Sequence, residues 1–147
     1  ESMRVPLIIR DPSAEADHTR GSKLEAFVES IDIAPTILEY LNLPIPGRFQ
    51  GTSLLGQVQG SNQTSPRSEI HYEKDFRNAT RDRHPHQCLL WVIRDDNYKY
   101  VQFADEAIPP LLYDLTSDPG EQRNLSTDHP EIVVRLLREM KAFRSSK

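Results

Sequence analysis

His84-Pro85-His86-Gln87-Cys88 sets three zinc-binding side chain types within one short stretch. Alternate residues of an extended segment point the same way, so His84, His86 and Cys88 could share one metal face. A structural zinc site closes with four ligands, however, and no second cluster supplies the fourth. A polar loop running into a strand is the simpler reading. Asp17-His18 is a second pair able to touch a metal, set in a polar stretch where solvation is the ordinary fate of both side chains. His71, Tyr72, Glu73, Asp75 and Arg77 bring acid, base, phenol and guanidinium together. They are candidates to line a cleft, weighed against plain strand pairing with a structural Arg–carboxylate bond. No Gly-x-Ser-x-Gly elbow and no Gly-rich phosphate loop is present, so nothing local specifies a nucleophile.

The elements that must carry these residues can be read from periodicity. Val5-Pro6-Leu7-Ile8-Ile9 is a continuous apolar run, the pattern of a strand buried on both faces, with Pro6 restricted to its first position or to an edge. Residues 13–23 read as a loop, and Leu24 to Ile31 as an extended piece or a helix start. A helix follows, capped by Asp32, with Pro35 in its first turn and Ile33, Ile37, Leu38 and Leu41 on one apolar face until Asn42-Leu43-Pro44 stops it. Residues 44–68 form a long irregular connection and the expected boundary, dividing the chain into 1–60 and 61–147.

The second half predicts an antiparallel meander. Glu69 to Glu73, Cys88 to Arg94, Tyr98 to Phe103 and Leu111 to Leu115 are strand-like, and Asp95-Asp96-Asn97 has hairpin turn chemistry. After the turn Asp118-Pro119-Gly120-Glu121, a last helix is predicted, with an Asp128/Glu131 capping box. Its buried stripe comprises Ile132, Val133, Leu136, Leu137, Met140 and Phe143.

Composition bounds the function. The 147 residues carry 18 Lys+Arg against 22 Asp+Glu, a formal net charge of -4, which disfavours nucleic-acid binding because phosphate contacts need clustered cations. A chain of this length suits one domain or one plus a small appendage, and buries about 68–70% of its unfolded surface. No apolar run approaches the roughly 20 residues of a membrane span, and none follows a basic start like a signal peptide. Cys88 is the single cysteine, which points weakly to a reducing, cytoplasmic setting. Glu1-Ser2-Met3 runs at once into the first apolar element, suggesting a chain cut from something longer.

In order, Arg4 to Pro12, Val28 to Leu38, Gly51-Thr52-Ser53-Leu54-Leu55, Tyr113-Asp114-Leu115, Asp118-Pro119-Gly120-Glu121 and Asn124-Leu125 resemble the later part of the sulfatases in the alkaline phosphatase superfamily. Tyr72-Glu73-Lys74-Asp75-Phe76-Arg77 and Val92 to Val101 resemble its phosphonate monoester hydrolase and arylsulfatase branch in particular. The resemblance implies an α/β fold fragment: the last strand and helix of an alkaline phosphatase-like domain, then a small C-terminal antiparallel sheet with a packed terminal helix.

It also implies a parent hydrolase of sulfate or phosphonate monoesters. Such an enzyme uses a divalent cation (Ca, Mn or Mg) and a formylglycine made from the Cys of a Cys-x-Pro-x-Arg motif. Cys88 is followed by Leu89-Leu90-Trp91 and lacks that motif, and Asp17-His18 lies after the Val5–Ile9 run, whereas the family's Asp-His metal pair precedes it. No catalytic residue, metal ligand or cofactor is therefore assigned to this chain. Its expected partner is the missing N-terminal catalytic portion, with a homo-oligomer as a second option and no nucleic acid or membrane. An unpaired Val5–Ile9 run would favour association. The alternatives are a non-catalytic binding or assembly module derived from a sulfatase tail and a small zinc protein.

Overall fold

Alternating β-branched and aromatic residues build the second half of the chain. In the computed structural model, which describes residues 5–61, 66–76 and 88–145, four strands pair antiparallel in sequence order: β1 (Ile70–Asp75), β2 (Leu89–Arg94), β3 (Tyr98–Phe103) and β4 (Leu111–Asp114). The β2–β3 turn is held by Asp95, whose Oδ1 accepts the backbone N–H groups of Asn97 and Tyr98 at 2.8 and 2.6 Å. This local bonding is why Asp favours such a position. The pairing aligns His71 with Ile93, Ile93 with Tyr100, and Tyr100 with Leu112 in one cross-sheet row.

Ile93, Tyr100 and Leu112 in that row are fully buried, and the helix α3 (Pro130–Ser145) lays Leu136 and Met140 on them. Each such side chain contributes about 1.5–3 kcal/mol through burial. Ile132, Val133 and Leu137 pack around the same core, as the helical spacing predicts. The expected capping box does not form. Asp128 Oδ2 instead accepts Arg123 Nη2 at 2.9 Å, and Pro130 is the first helical residue. Beyond β4, Asn124 Oδ1 accepts the Leu112 N–H at 3.0 Å and Leu125 N–H donates to Leu112 O at 2.8 Å, so this loop satisfies backbone groups at the sheet's far edge.

The chain divides into two compact units, Glu1–Ser68 and Glu69–Lys147. Arg67 lies in the first, where its guanidinium is bound to Asp32. In this unit the elements are α1 (Ile33–Tyr40), α2 (Leu55–Val58) and two short 3-10 turns, Ala14–Thr19 and Ser30–Asp32. The first of those turns falls within the expected loop at 13–23. Helix α1 ends as expected: Asn42 takes a left-handed φ of 54° and Leu43 N–H closes onto Leu38 O at 2.9 Å.

Three expectations for this unit need correction. Val5–Ile9 joins no strand ladder among the described residues, and Val5 and Ile8 are 80% and 90% exposed. A strand needs a neighbour to satisfy its backbone, and none is present here. Asp32 does not cap α1 with its side chain. Its carboxylate accepts Glu29 N–H, Thr52 N–H and both Arg67 Nη groups. The apolar stripe of α1 is the third: Ile33, Ile37 and Leu41 are exposed, while Asp32, Pro35 and Thr36 are buried.

The inversion follows from bonds to residues distant in sequence. Thr36 Oγ1 donates to Asp32 O at 2.5 Å and accepts Leu54 N–H at 2.9 Å, so the polar side of α1 is the side that binds the 51–54 segment. Gly51 permits this approach, since a Cβ there would stand 2.0 Å from Ile31 O. Among the described residues no helix is long and apolar enough to cross a membrane.

Candidate functional site

β1 and β2 set His71 opposite Ile93 and Glu73 opposite Trp91. Alternation puts His71 and Glu73 on the face that carries Ile93 and Tyr100, beside the end of α3. The His71 ring lies flat on Phe143, with centroids 3.7 Å apart and an interplanar angle of 3°. Its Nε2 is 3.0 Å from Glu69 Oε1. Trp91 Nε1–H donates to Glu73 Oε2 at 2.7 Å, and the Arg144 guanidinium stands 4.0 Å from the centroid of the indole. Arg144 is exposed, and cation–π contacts at exposed sites add about 0.5–1 kcal/mol.

Residues His71, Glu73, Trp91, Phe143 and Arg144, with Tyr72, Val92 and Met140, line a hollow of about 100 Å³. Ligand pockets run to about 300–1,000 Å³, so this hollow alone accommodates only a small group. The structure brings His71, Tyr72 and Glu73 together around it; Asp75 sits further along β1 opposite Leu89 and does not line it. Arg77, His84 and His86 lie outside the described residues. Cys88 is buried, and Asp17 is exposed and paired with Arg20 at 2.7 Å.

Trp91, Phe143 and Arg144 complete the hollow and were not singled out as site residues in the sequence. Trp91 shares the period-two face of Ile93, and Phe143 shares the stripe of Leu136 and Met140, so pattern alone reads both as core. Among the described residues no three His, Cys, Asp or Glu side chains group closely enough to hold a metal ion. The divalent cation implied by the resemblance therefore finds no fit among the described residues.

The family described as N-sulphoglucosamine sulphohydrolase, C-terminal, matches residues 1–146. The chain belongs to this sulfatase family. Within it, the chain is 44% identical over 135 residues to the multifunctional alkaline phosphatase superfamily protein PehA of Trinickia caryophylli, covering 87% of this chain and 26% of that protein. Human arylsulfatase K is 30% identical over 147 residues, covering 92% of this chain and 24% of that protein.

The crystal structure of the phosphonate monoester hydrolase of Agrobacterium radiobacter superposes with a TM-score of 0.72 at 32% identity, covering 84% of this chain and 26% of that one. This sulfatase-family chain thus spans about a quarter of the length of the relatives it matches. The antiparallel sheet with its C-terminal helix is the fold that the resemblance predicted for their C-terminal portion.

Proposed function

We propose that the chain serves as the C-terminal portion of a metal-dependent hydrolase of sulfate or phosphonate monoesters, with the nucleophile and the cation held by the rest of that polypeptide. The observation that carries this reading is the family match over residues 1–146 combined with relatives about four times as long.

In the same reading the β1 edge bearing His71, Tyr72, Glu73 and Asp75 walls the substrate cleft, and the stack of His71 on Phe143 keeps that wall rigid. The test is turnover. The gene product including the coding region before Glu1, supplied with Mn²⁺ or Ca²⁺, should hydrolyse an aryl sulfate or an aryl phosphonate monoester, and the 147-residue chain alone should hydrolyse neither. Turnover by the short chain that survives repurification overturns the reading. A wall residue acts on substrate binding, so Glu73→Gln in the long polypeptide should raise KM while leaving kcat within about twofold.

A further inference from the structure

The two edges of the sheet are built differently. β1 ends in Glu73-Lys74-Asp75, charges of the kind that discourage the addition of another strand. β4 reads Leu111-Leu112-Tyr113-Asp114 and carries its one charge at its last residue. An apolar edge with unpaired backbone groups is a template for another chain.

That edge is closed by the residues that follow it. Leu115 N–H donates to Asn97 O at 2.7 Å, so Leu111, Tyr113 and Leu115 bond toward β3, and Leu112 and Asp114 turn their backbone groups outward. Asn124 Oδ1 accepts the Leu112 N–H at 3.0 Å, and Leu125 N–H donates to Leu112 O at 2.8 Å. Asp118 N–H donates to Asp114 O at 2.8 Å, and Asn124 Nδ2 donates to Pro110 O at 3.2 Å. The segment 118–125 thus lies along β4 where another strand would lie.

It is held there in an unfavourable shape. Glu121 has a φ of 55°, in the left-handed region that residues with a Cβ seldom enter. Its carboxylate is bound to Lys99 Nζ on β3, and the Lys99 side chain is 14% exposed. Asp118 Oδ2 accepts Gln122 N–H and Arg123 N–H at 2.7 and 2.8 Å. A strained backbone persists where its surroundings hold it, and here the hold includes an ion pair to the adjoining strand.

We infer that residues 118–125 are a strap that keeps β4 from pairing with another chain, latched by Lys99 and Glu121. This gives Asp118, Glu121, Asn124 and Leu125, which help to carry the family resemblance, a task in preventing association instead of in ester chemistry. The inference goes beyond the hydrolase reading and does not depend on it.

The experiment opens the latch in the polypeptide that includes the coding region before Glu1. Lys99→Met removes the ion pair, and Asn124→Ala removes the bonds to Leu112 N–H and Pro110 O. Each should speed exchange of the Leu112 amide at least about tenfold while Ile93 and Tyr100 keep their protection. Each should also capture a labelled peptide of residues 110–115 at least about tenfold better than the unaltered protein, by strand addition. Where a variant loses protection at Ile93 and Tyr100, Glu121→Gln takes its place, since it weakens the latch and preserves side-chain size. Leu136→Ala is the control, because it loosens the core and leaves the strap intact.

Unchanged Leu112 exchange in Lys99→Met overturns the latch. Fast exchange without a gain in peptide capture overturns the guarding role. Equal capture by Leu136→Ala assigns the association to general loosening and overturns that role as well.

Discussion

The Arg67 guanidinium holds both oxygens of the Asp32 carboxylate, Nη1 to Oδ2 at 2.6 Å and Nη2 to Oδ1 at 2.7 Å. Asp32 is fully buried, and the same carboxylate accepts Glu29 N–H and Thr52 N–H, each at 2.8 Å. Glu29 Oε2 adds a second acidic contact to Arg67 at 3.4 Å. One side chain thereby joins the turn before α1, the segment leading to α2, and Arg67.

Removing either partner leaves a charge with little solvent to replace it. Asp32→Asn and Arg67→Ala should each destabilise the first unit by about 3 kcal/mol. Arg67→Lys should recover only part of this, because an ammonium keeps the charge and loses the two-pronged geometry. Hydrogen exchange of the Thr52 and Leu54 amides reads the unit directly; unchanged protection in Asp32→Asn would count against the role given to this pair.

Acid should act on the same group. Burial by itself raises the Asp32 carboxyl, but the donors from Arg67, Glu29 and Thr52 outweigh it, so its pKa lies below the ordinary 3.8. A carboxyl depressed on folding contributes stability that is fully present above the unfolded value and is lost as pH falls through the folded one. Protection of Thr52 and Leu54 should therefore hold at neutral pH and decline progressively below about pH 4. Asp32→Asn should lack most of this dependence.

The second unit should respond separately. Trp91 is the only tryptophan and lies on β2, so its fluorescence follows the sheet. Leu136→Ala opens a cavity against Ile93, Tyr100 and Leu112 and should cost about 2–5 kcal/mol in a fluorescence-detected melt. A change below about 1 kcal/mol would mean that the site collapses around the smaller side chain.

Asp95 and Arg135 form an ion pair at 2.8 Å whose two ends have unequal importance. Arg135 is partly exposed, so Arg135→Ala should cost no more than about 1 kcal/mol. Asp95 also closes the β2–β3 turn, so Asp95→Ala should cost more than Arg135→Ala in the same melt. Equal losses would remove the turn from the explanation.

The second unit was readable because its signals are local. Strand alternation, the Asp95 turn and the α3 stripe each act within a few residues, and the structure keeps them all. The Asp128 cap failed because Arg123, five positions earlier, competes for that carboxylate. In the first unit the existence of α1 was legible and its orientation was not. Its inward side is chosen by Thr52, Leu54 and Arg67, which are distant in sequence and leave no periodic trace. The hollow was half legible for the same reason: His71, Tyr72 and Glu73 stand together in sequence, but Phe143 and Arg144 arrive from α3.

The row Ile93–Tyr100–Leu112 carries a consequence for biosynthesis. Each strand pairs with its neighbour in the chain, so the meander can zip up in order as it leaves the ribosome. Leu136 and Met140 come from α3, however, and until that helix has emerged the row stays open to water on one face. The nascent sheet thus passes through a sticky, unfinished stage, and the last helix to be synthesised is the element that ends it.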